Sequence, residues 1–244
     1  MANLRLTLLQ CRNPEDPMRQ QEVNTFRVVL NNPGYHISAV NILTETPDEN
    51  LLEKTDAILV GGSGDYSVLE NHSFLPPFFN FLKTVCEVGF PTFASCFGFQ
   101  AICQALGGEI IRDKKTAEVG TYDLYLTEEG KTDELFGELP TTFPGQMGHK
   151  DRASVLPPDT IPLACSEKAP YQAYKLKDKP IYATQFHPEL TMEQNRERFE
   201  NYIEAYSNEE VHQEVETIRS SFRESKETYS LLPSFIEKIV LTSK

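Results

Sequence analysis

The chain has 244 residues, 39% of them hydrophobic and 24% charged, and carries a formal net charge of −13. These proportions suit a soluble globular protein with a sizeable core, while the acidic balance argues against nucleic acid or an anionic membrane as a partner, since both attract basic surfaces. No apolar run approaches the roughly 18 residues of a membrane-spanning helix, and Met1–Gln10 lacks the longer apolar core and small-residue cleavage site of a signal peptide. The five cysteines, at 11, 86, 96, 103 and 165, are odd in number and scattered, with no CxxC pair. That pattern fits a reducing compartment, with a cytoplasmic location expected, better than a disulfide framework or a zinc site.

In chain order, strand-like runs occur at 4–9 (LRLTLL), 36–43 (HISAVNIL), 56–60 (DAILV), 91–95 (PTFAS), 122–127 (YDLYLT) and 180–186 (PIYATQF). Segments with helical character separate the early ones, at 17–30, 74–88 and 97–107. In the last, Phe99, Ile102, Cys103 and Leu106 recur at helical spacing before Gly107–Gly108 stops the pattern. Strands alternating with helices predict an α/β fold: a mainly parallel central sheet with helices on both faces. Residues 109–176 read instead as short strands punctuated by turns. After Glu189, TMEQNRERFENYIEAY reads as a helix with Met192, Phe199 and Ile203 among its apolar positions. The division expected is one domain over 1–206 and a C-terminal helical extension over 207–244, which could cap the domain or be a solvated helix packed on one side.

Three motifs carry chemistry. In ASCFG, an apolar strand turns sharply into a helix with Ala94 two before Cys96 and Gly98 two after it. Small residues are what a strained strand-to-helix turn around a nucleophile requires. The helix beginning at Phe97 would favour a thiolate at its amino end, and the Phe97 N–H could help hold an oxyanion. A buried structural cysteine would fit the same run. In YATQFHPEL, His187 and Glu189 stand two apart at the end of an apolar strand, where pleat geometry puts both side chains on one side. A carboxylate beside an imidazole orients the ring, which can then deprotonate a thiol and later protonate a leaving amine. In ILVGGSGDYSV, a strand runs into paired glycines whose N–H groups suit an oxyanion. No GK[ST] follows, which sets this loop apart from a phosphate-binding one.

Together these residues resemble the class I glutamine amidotransferases, whose pattern is roughly GxCxGxQ followed later by FHPE. Here it stands as ASCFGFQ and QFHPE, with ALGGEI after the nucleophile helix. Over about residues 56–190, EVGTYDLYLTEEG, Leu135–Phe136 and MGHKD also resemble the amidotransferase domain of GMP synthases. The resemblance implies a flavodoxin-like fold in which Cys96 attacks the γ-carboxamide of glutamine. It implies His187 as base and acid, Glu189 as its orienting partner, and an oxyanion hole at Gly62 and Phe97. Gln100 takes the family's substrate-contacting position, and the loop with Gly148 and His149 lines the pocket. Ala94 departs from the family's elbow glycine, and Ser63 from the proline of its GGP loop, so the oxyanion loop could take another path.

The histidines at 36, 72, 149, 187 and 212 show no ligand-like spacing, and acyl transfer of this kind needs no metal, so no cofactor is expected. No synthetase domain is evident, which leaves room for a separate synthase subunit that accepts ammonia. The expected function is therefore glutamine hydrolysis through a Cys96 thioester. A stand-alone hydrolase of other γ-glutamyl amides and peptides uses the same chemistry. A catalytically silent regulatory or binding subunit that keeps the fold is the remaining reading.

Overall fold

The structure is a computed structural model that describes residues 3–113, 115–204 and 215–242. Residues 205 and 206 of the expected helix and 207–214 of the expected extension lie outside the described residues. Eleven strands form among the described residues. They are β1 (Leu4–Gln10), β2 (Tyr35–Asn41), β3 (Ala57–Val60), β4 (Thr92–Ser95), β5 (Glu109–Arg112) and β6 (Glu118–Leu126). After them come β7 (Thr142–His149), β8 (Asp151–Val155), β9 (Thr160–Cys165), β10 (Ala173–Leu176) and β11 (Ile181–Thr184). Nine of them build one sheet in the order β2-β1-β3-β4-β11-β10-β9-β6-β7, and β5 pairs with β8 in a separate ribbon.

The first five strands of that order pair in parallel. From β11 onward the pairing is antiparallel. The turn-rich middle of the chain thus extends the parallel sheet with antiparallel strands, and the central sheet is the expected one with a mixed edge.

Both faces of the parallel part are covered, and the strand pattern shows why. In β3, Ala57 and Leu59 belong to one buried cluster and Ile58 and Val60 to the other, as the period-2 geometry of a strand buried on both sides requires. One face packs against α1 (Met18–Leu30) through Val23, Phe26 and Leu30. The opposite face packs against α2 (Leu75–Val88) and α3 (Phe97–Ala105). Pro76 and Pro77 at the first turn of α2 occupy positions whose N–H groups would lack intrahelical acceptors, and Gly89 ends that helix in the left-handed region. A short helix, α4 (Glu128–Thr132), follows β6, and α5 (Met192–Asn201) starts with a capping box between Thr191 and Gln194.

The described part of the C-terminal segment packs its apolar side on the sheet. After α6 (Val215–Ser221), the chain enters a 3₁₀ turn at Lys226–Ser230, then α7 (Leu231–Phe235), and continues helically through Ile236–Val240. Leu231, Leu232, Phe235, Ile236, Ile239 and Val240 all join the α1-side core. Phe235 lies 5.5 Å from the ring of Phe93 on β4 and 6.3 Å from that of Tyr182 on β11. The segment therefore completes the layer over the central strands. Replacing Phe235 by Ala should cost about 3–5 kcal/mol, the usual effect of removing a buried aromatic side chain, read as a lower midpoint in urea unfolding. A loss below about 1 kcal/mol would show that the segment is dispensable to the core.

Candidate functional site

The site forms where the carboxyl ends of the parallel strands meet the loops that follow them, as is usual for open α/β sheets. Cys96 joins β4 directly to α3 with φ 52° and ψ −101°, far from the conformations L-residues prefer. Three backbone hydrogen bonds fix this turn: Cys96 N–H to Thr184 O (2.8 Å), Gly98 N–H to Gly61 O (3.2 Å) and Gln100 N–H to Cys96 O (3.1 Å). Gly98 is required sterically, because a Cβ there would stand 2.8 Å from Val60 Cβ and 2.9 Å from Val60 O. Ala94, where a glycine was the family expectation, is fully buried in the α2–α3 core and leaves the turn intact.

His187 and Glu189 sit in the turn that follows β11, which ends at Thr184. The side chains meet through that turn rather than through strand pleating. His187 Nδ1 lies 2.7 Å from Glu189 Oε1, and the Cys96 sulfur lies near enough to the ring to act on its charge. All three residues are at least 95% buried. Burial alone would lower the His187 pKa, but the Glu189 carboxylate and then the Cys96 sulfur outweigh it and hold the imidazole up to about 9. Burial would raise Glu189, and the neighbouring His187 and Arg198 reverse that and lower it.

The paired-glycine loop lies close to these groups. A Cβ on Gly62 would fall 2.8 Å from His187 Cε1 and 3.8 Å from Cys96 Cβ. Its N–H, however, points the other way and donates to Glu22 Oε1 at 3.1 Å. The Phe97 N–H opens α3 and belongs to the first-turn amides that have no acceptor within the helix.

Glu22 was not apparent from sequence. It is fully buried on α1 and also accepts from Arg12 Nη2 (3.0 Å) and Gln10 Nε2 (2.9 Å). Arg198 on α5 stands between two carboxylates, 3.9 Å from Glu22 Oε1 and 3.7 Å from Glu189 Oε1. Arg12 also bonds Tyr202 Oη at 2.6 Å and pairs with Asp16 at 3.4 Å. A chain of buried charges thus links the carboxylate behind His187 to the loop in front of Cys96. Nothing in the local patterns around Arg12, Glu22 or Arg198 announces it, since each sits in an ordinary polar run and they converge only in three dimensions.

A cavity of about 60 Å³ opens beside Cys96, lined by Phe97, Gln100, Gly148, His149 and the loop from Ser63 to Ser67. Gln100 spends its amide within the protein, donating to Asp151 O (2.9 Å) and Gln185 Oε1 (3.1 Å). His149 is also committed, with Nε2 3.0 Å from Glu118 Oε2 and Nδ1 3.1 Å from Asp151 O. Both side chains therefore shape the wall. Asp151 fastens the cavity rim by accepting from Arg112 Nε (2.7 Å) and from Ser67 Oγ, so the 63–67 loop is tied to the 148–151 loop. Among the described residues, no group of three or more His, Cys, Asp and Glu side chains is arranged to hold a metal ion, and no helix is long and apolar enough to cross a membrane.

Comparisons with known proteins establish the family of the chain. The model of the family Glutamine amidotransferase class-I matches residues 24–205, and the chain belongs to that family. It is 31% identical over 191 residues to a glutamine-hydrolyzing GMP synthase of Aquifex aeolicus, an alignment covering 75% of this chain and 36% of that protein. A GMP synthase of Thermosipho africanus is 35% identical over 136 residues, covering 55% of this chain and 24% of its own length. The chain thus spans about a third or less of these relatives. Among solved structures, a glutamine amidotransferase from Thermotoga maritima superimposes with a TM-score of 0.76 at 20% identity, covering 98% of this chain and 99% of the other. A glutamine amido transferase from Methylobacillus flagellatus gives 0.69 at 17% identity, covering 99% of this chain and 94% of the other. These two likenesses establish the flavodoxin-like fold.

Two outcomes check the electrostatics. Because the folded His187 pKa is raised above its ordinary value of 6.5, the stability gained from its proton is fully present below 6.5 and lost as pH rises through about 9. The destabilisation by Glu189→Gln should accordingly be larger at about pH 6 than at about pH 10, with the His187 ring titrating lower by NMR. An unchanged titration midpoint would show that Glu189 does not hold the proton. Separately, Glu22→Ala strands the Arg12 guanidinium without its closest carboxylate and should cost about 3–5 kcal/mol in urea unfolding. Wild-type stability in that variant would remove Glu22 from the structural core of the site.

Proposed function

We propose that the protein hydrolyses the γ-carboxamide of glutamine through a Cys96 thioester. The observation that carries this reading is the contact of Cys96, His187 and Glu189 at a strained strand-to-helix turn, in a chain that belongs to the class I glutamine amidotransferases. In the proposed sequence, the Cys96 thiolate attacks the γ-carbonyl carbon and a carbon–sulfur bond forms. The carbonyl electrons move to the oxygen. The Phe97 N–H at the positive end of α3 donates to that oxyanion. The Gly62 N–H, which rests on Glu22, joins it once its peptide plane turns from that carboxylate toward the new anion. The protonated His187 then gives its proton to the nitrogen, the carbon–nitrogen bond breaks and ammonia leaves. Neutral His187 next removes a proton from water, hydroxide attacks the thioester, and glutamate departs as the thiolate is restored. Glu189 holds the ring in the orientation and charge state both steps need.

The GMP synthase relatives, which this chain matches over about a third of their length, support a synthase partner that takes up the ammonia. The free state of all five cysteines suits a reducing compartment such as the cytoplasm.

The test is release of ammonia and glutamate from glutamine by the purified protein. Cys96→Ala should lose at least ~10³-fold in kcat/KM, as removal of a covalent nucleophile does in other acyl-transfer enzymes. Equal turnover by wild type and variant would end the proposal. So would a complete lack of Cys96 labelling by a glutamine-like chloroketone, which would instead favour a silent binding subunit.

A further inference from the structure

We propose that a second, smaller chamber beside His187 receives the leaving amine and restricts it to ammonia, with Tyr202 as the specificity-determining residue. The inference rests on the glutaminase reading above and specifies which γ-glutamyl compounds that site accepts. The chamber has a volume of about 20 Å³ and is lined by His187, Asn195, Arg198 and Tyr202 together with Ser63, Gly64 and Gly148. The last three also line the cavity beside Cys96, so the two spaces share a wall. Cys96 and Phe97 border only the larger space, and His187 only the smaller. An acyl group bonded to Cys96 therefore belongs in the larger one. The nitrogen that His187 protonates departs on its own side, toward the smaller.

Size then decides what can depart. A cavity needs roughly 10–15 Å³ of this kind to hold one water, so this chamber accommodates one molecule as large as water or ammonia. An N-methyl group or a glycyl residue on the same nitrogen exceeds it. The tight wall is formed by the hydroxyl end of the Tyr202 ring packed against Gly64. A Cβ on Gly64 would stand 2.1 Å from Tyr202 Cζ, so the contact exists only because position 64 lacks one. The ring is anchored as well as packed, because its hydroxyl bonds Arg12 Nη1 at 2.6 Å and Asp16. Arg198, with two guanidinium nitrogens buried and without hydrogen-bond partners among the described residues, lines the chamber from its place between Glu22 and Glu189.

The experiment compares kcat/KM for glutamine, γ-glutamylmethylamide and γ-glutamylglycine in wild type, Tyr202→Ala, Tyr202→Leu and Tyr202→Phe. Wild type should prefer glutamine over the methylamide by on the order of 10–200-fold, the range one methylene commands in a tight pocket. Tyr202→Ala, or Tyr202→Leu where the alanine variant does not fold, should bring that ratio within about threefold by raising turnover of the methylamide. Tyr202→Phe keeps the ring but loses the hydroxyl bonds, and should keep the preference. Labelling of Cys96 by a glutamine-like chloroketone, which releases no amine, reports whether each variant retains the acyl side. Equal use of glutamine and methylamide by wild type overturns the chamber assignment while leaving the glutaminase reading intact. So does an unchanged preference in a folded, labelled Tyr202→Ala or Tyr202→Leu. A wild type that hydrolyses none of the three amides refutes the glutaminase reading, and the chamber assignment falls with it.

Discussion

The conformation of Cys96 is the constraint on which the site depends. A non-glycine residue at φ 52° and ψ −101° carries strain of about 1–3 kcal/mol and persists only where its surroundings fix it from several sides. Here the fixing bonds come from the elements that carry the rest of the chemistry. The Cys96 N–H is bound to Thr184, three residues before His187, and the Gly98 N–H to Gly61, next to Gly62. The strain and the assembly of the site are thus one arrangement. The sulfur cannot relax into ordinary helix or strand geometry without detaching from both the histidine turn and the glycine loop.

Electrostatics adds a second layer that the backbone does not provide. Three carboxylates and two guanidiniums lie within a mostly buried patch: Glu22, Glu189, Asp16, Arg12 and Arg198. Leaving Cys96 aside and with His187 protonated, three carboxylates face three cations. That balance lets so many ionised groups tolerate burial, since an unpaired charge in such a place would neutralise or unfold its surroundings. The same balance connects distant parts of the chain, because α1, α5 and the loops after β1 and β11 each supply a member. The C-terminal helices act from the opposite side. By filling the face beneath β4 and β11 with Leu231, Leu232 and Phe235, they pack against the two strands that lead into Cys96 and His187.

Much of this was legible in the sequence because it is local. The strands around Leu6, Leu59 and Phe93 are apolar runs of the right length, and the elbow is written in the small residues around Cys96. His187 and Glu189 are close in the chain, although a turn brings them together where a strand had been expected. The family resemblance, carried by ASCFGFQ and QFHPE, holds through the match over residues 24–205. What could not be read is what depends on long-range convergence. The antiparallel edge from β10 to β7 follows from pairing partners that no local pattern specifies. The tail's amphipathic residues fit a solvated helix and a core layer equally well until the sheet face they cover is known. Gln100 and His149 were picked out by position, yet the bonds that occupy their polar atoms come from Asp151, Gln185 and Glu118, each reached across the fold.

The placement of Glu22 shows how these layers act together. Its carboxylate takes the Gly62 N–H while being paired to Arg12, and Arg12 in turn holds the hydroxyl of Tyr202. The glycine loop is therefore anchored at Gly62 by charge and at Gly64 by the tyrosine ring, with Ser63 between them where a proline would have stiffened the backbone on its own. Replacing that proline by a serine removes a local restraint, and the buried network supplies a tertiary one. If the Gly62 amide exchanges Glu22 for another acceptor, the loop stays tied at Gly64, because the tyrosine ring there is held separately by Arg12 and Asp16. For the Gly62 amide to serve an oxyanion, its bond to the tetrahedral oxygen must be worth more than the one it gives up to Glu22.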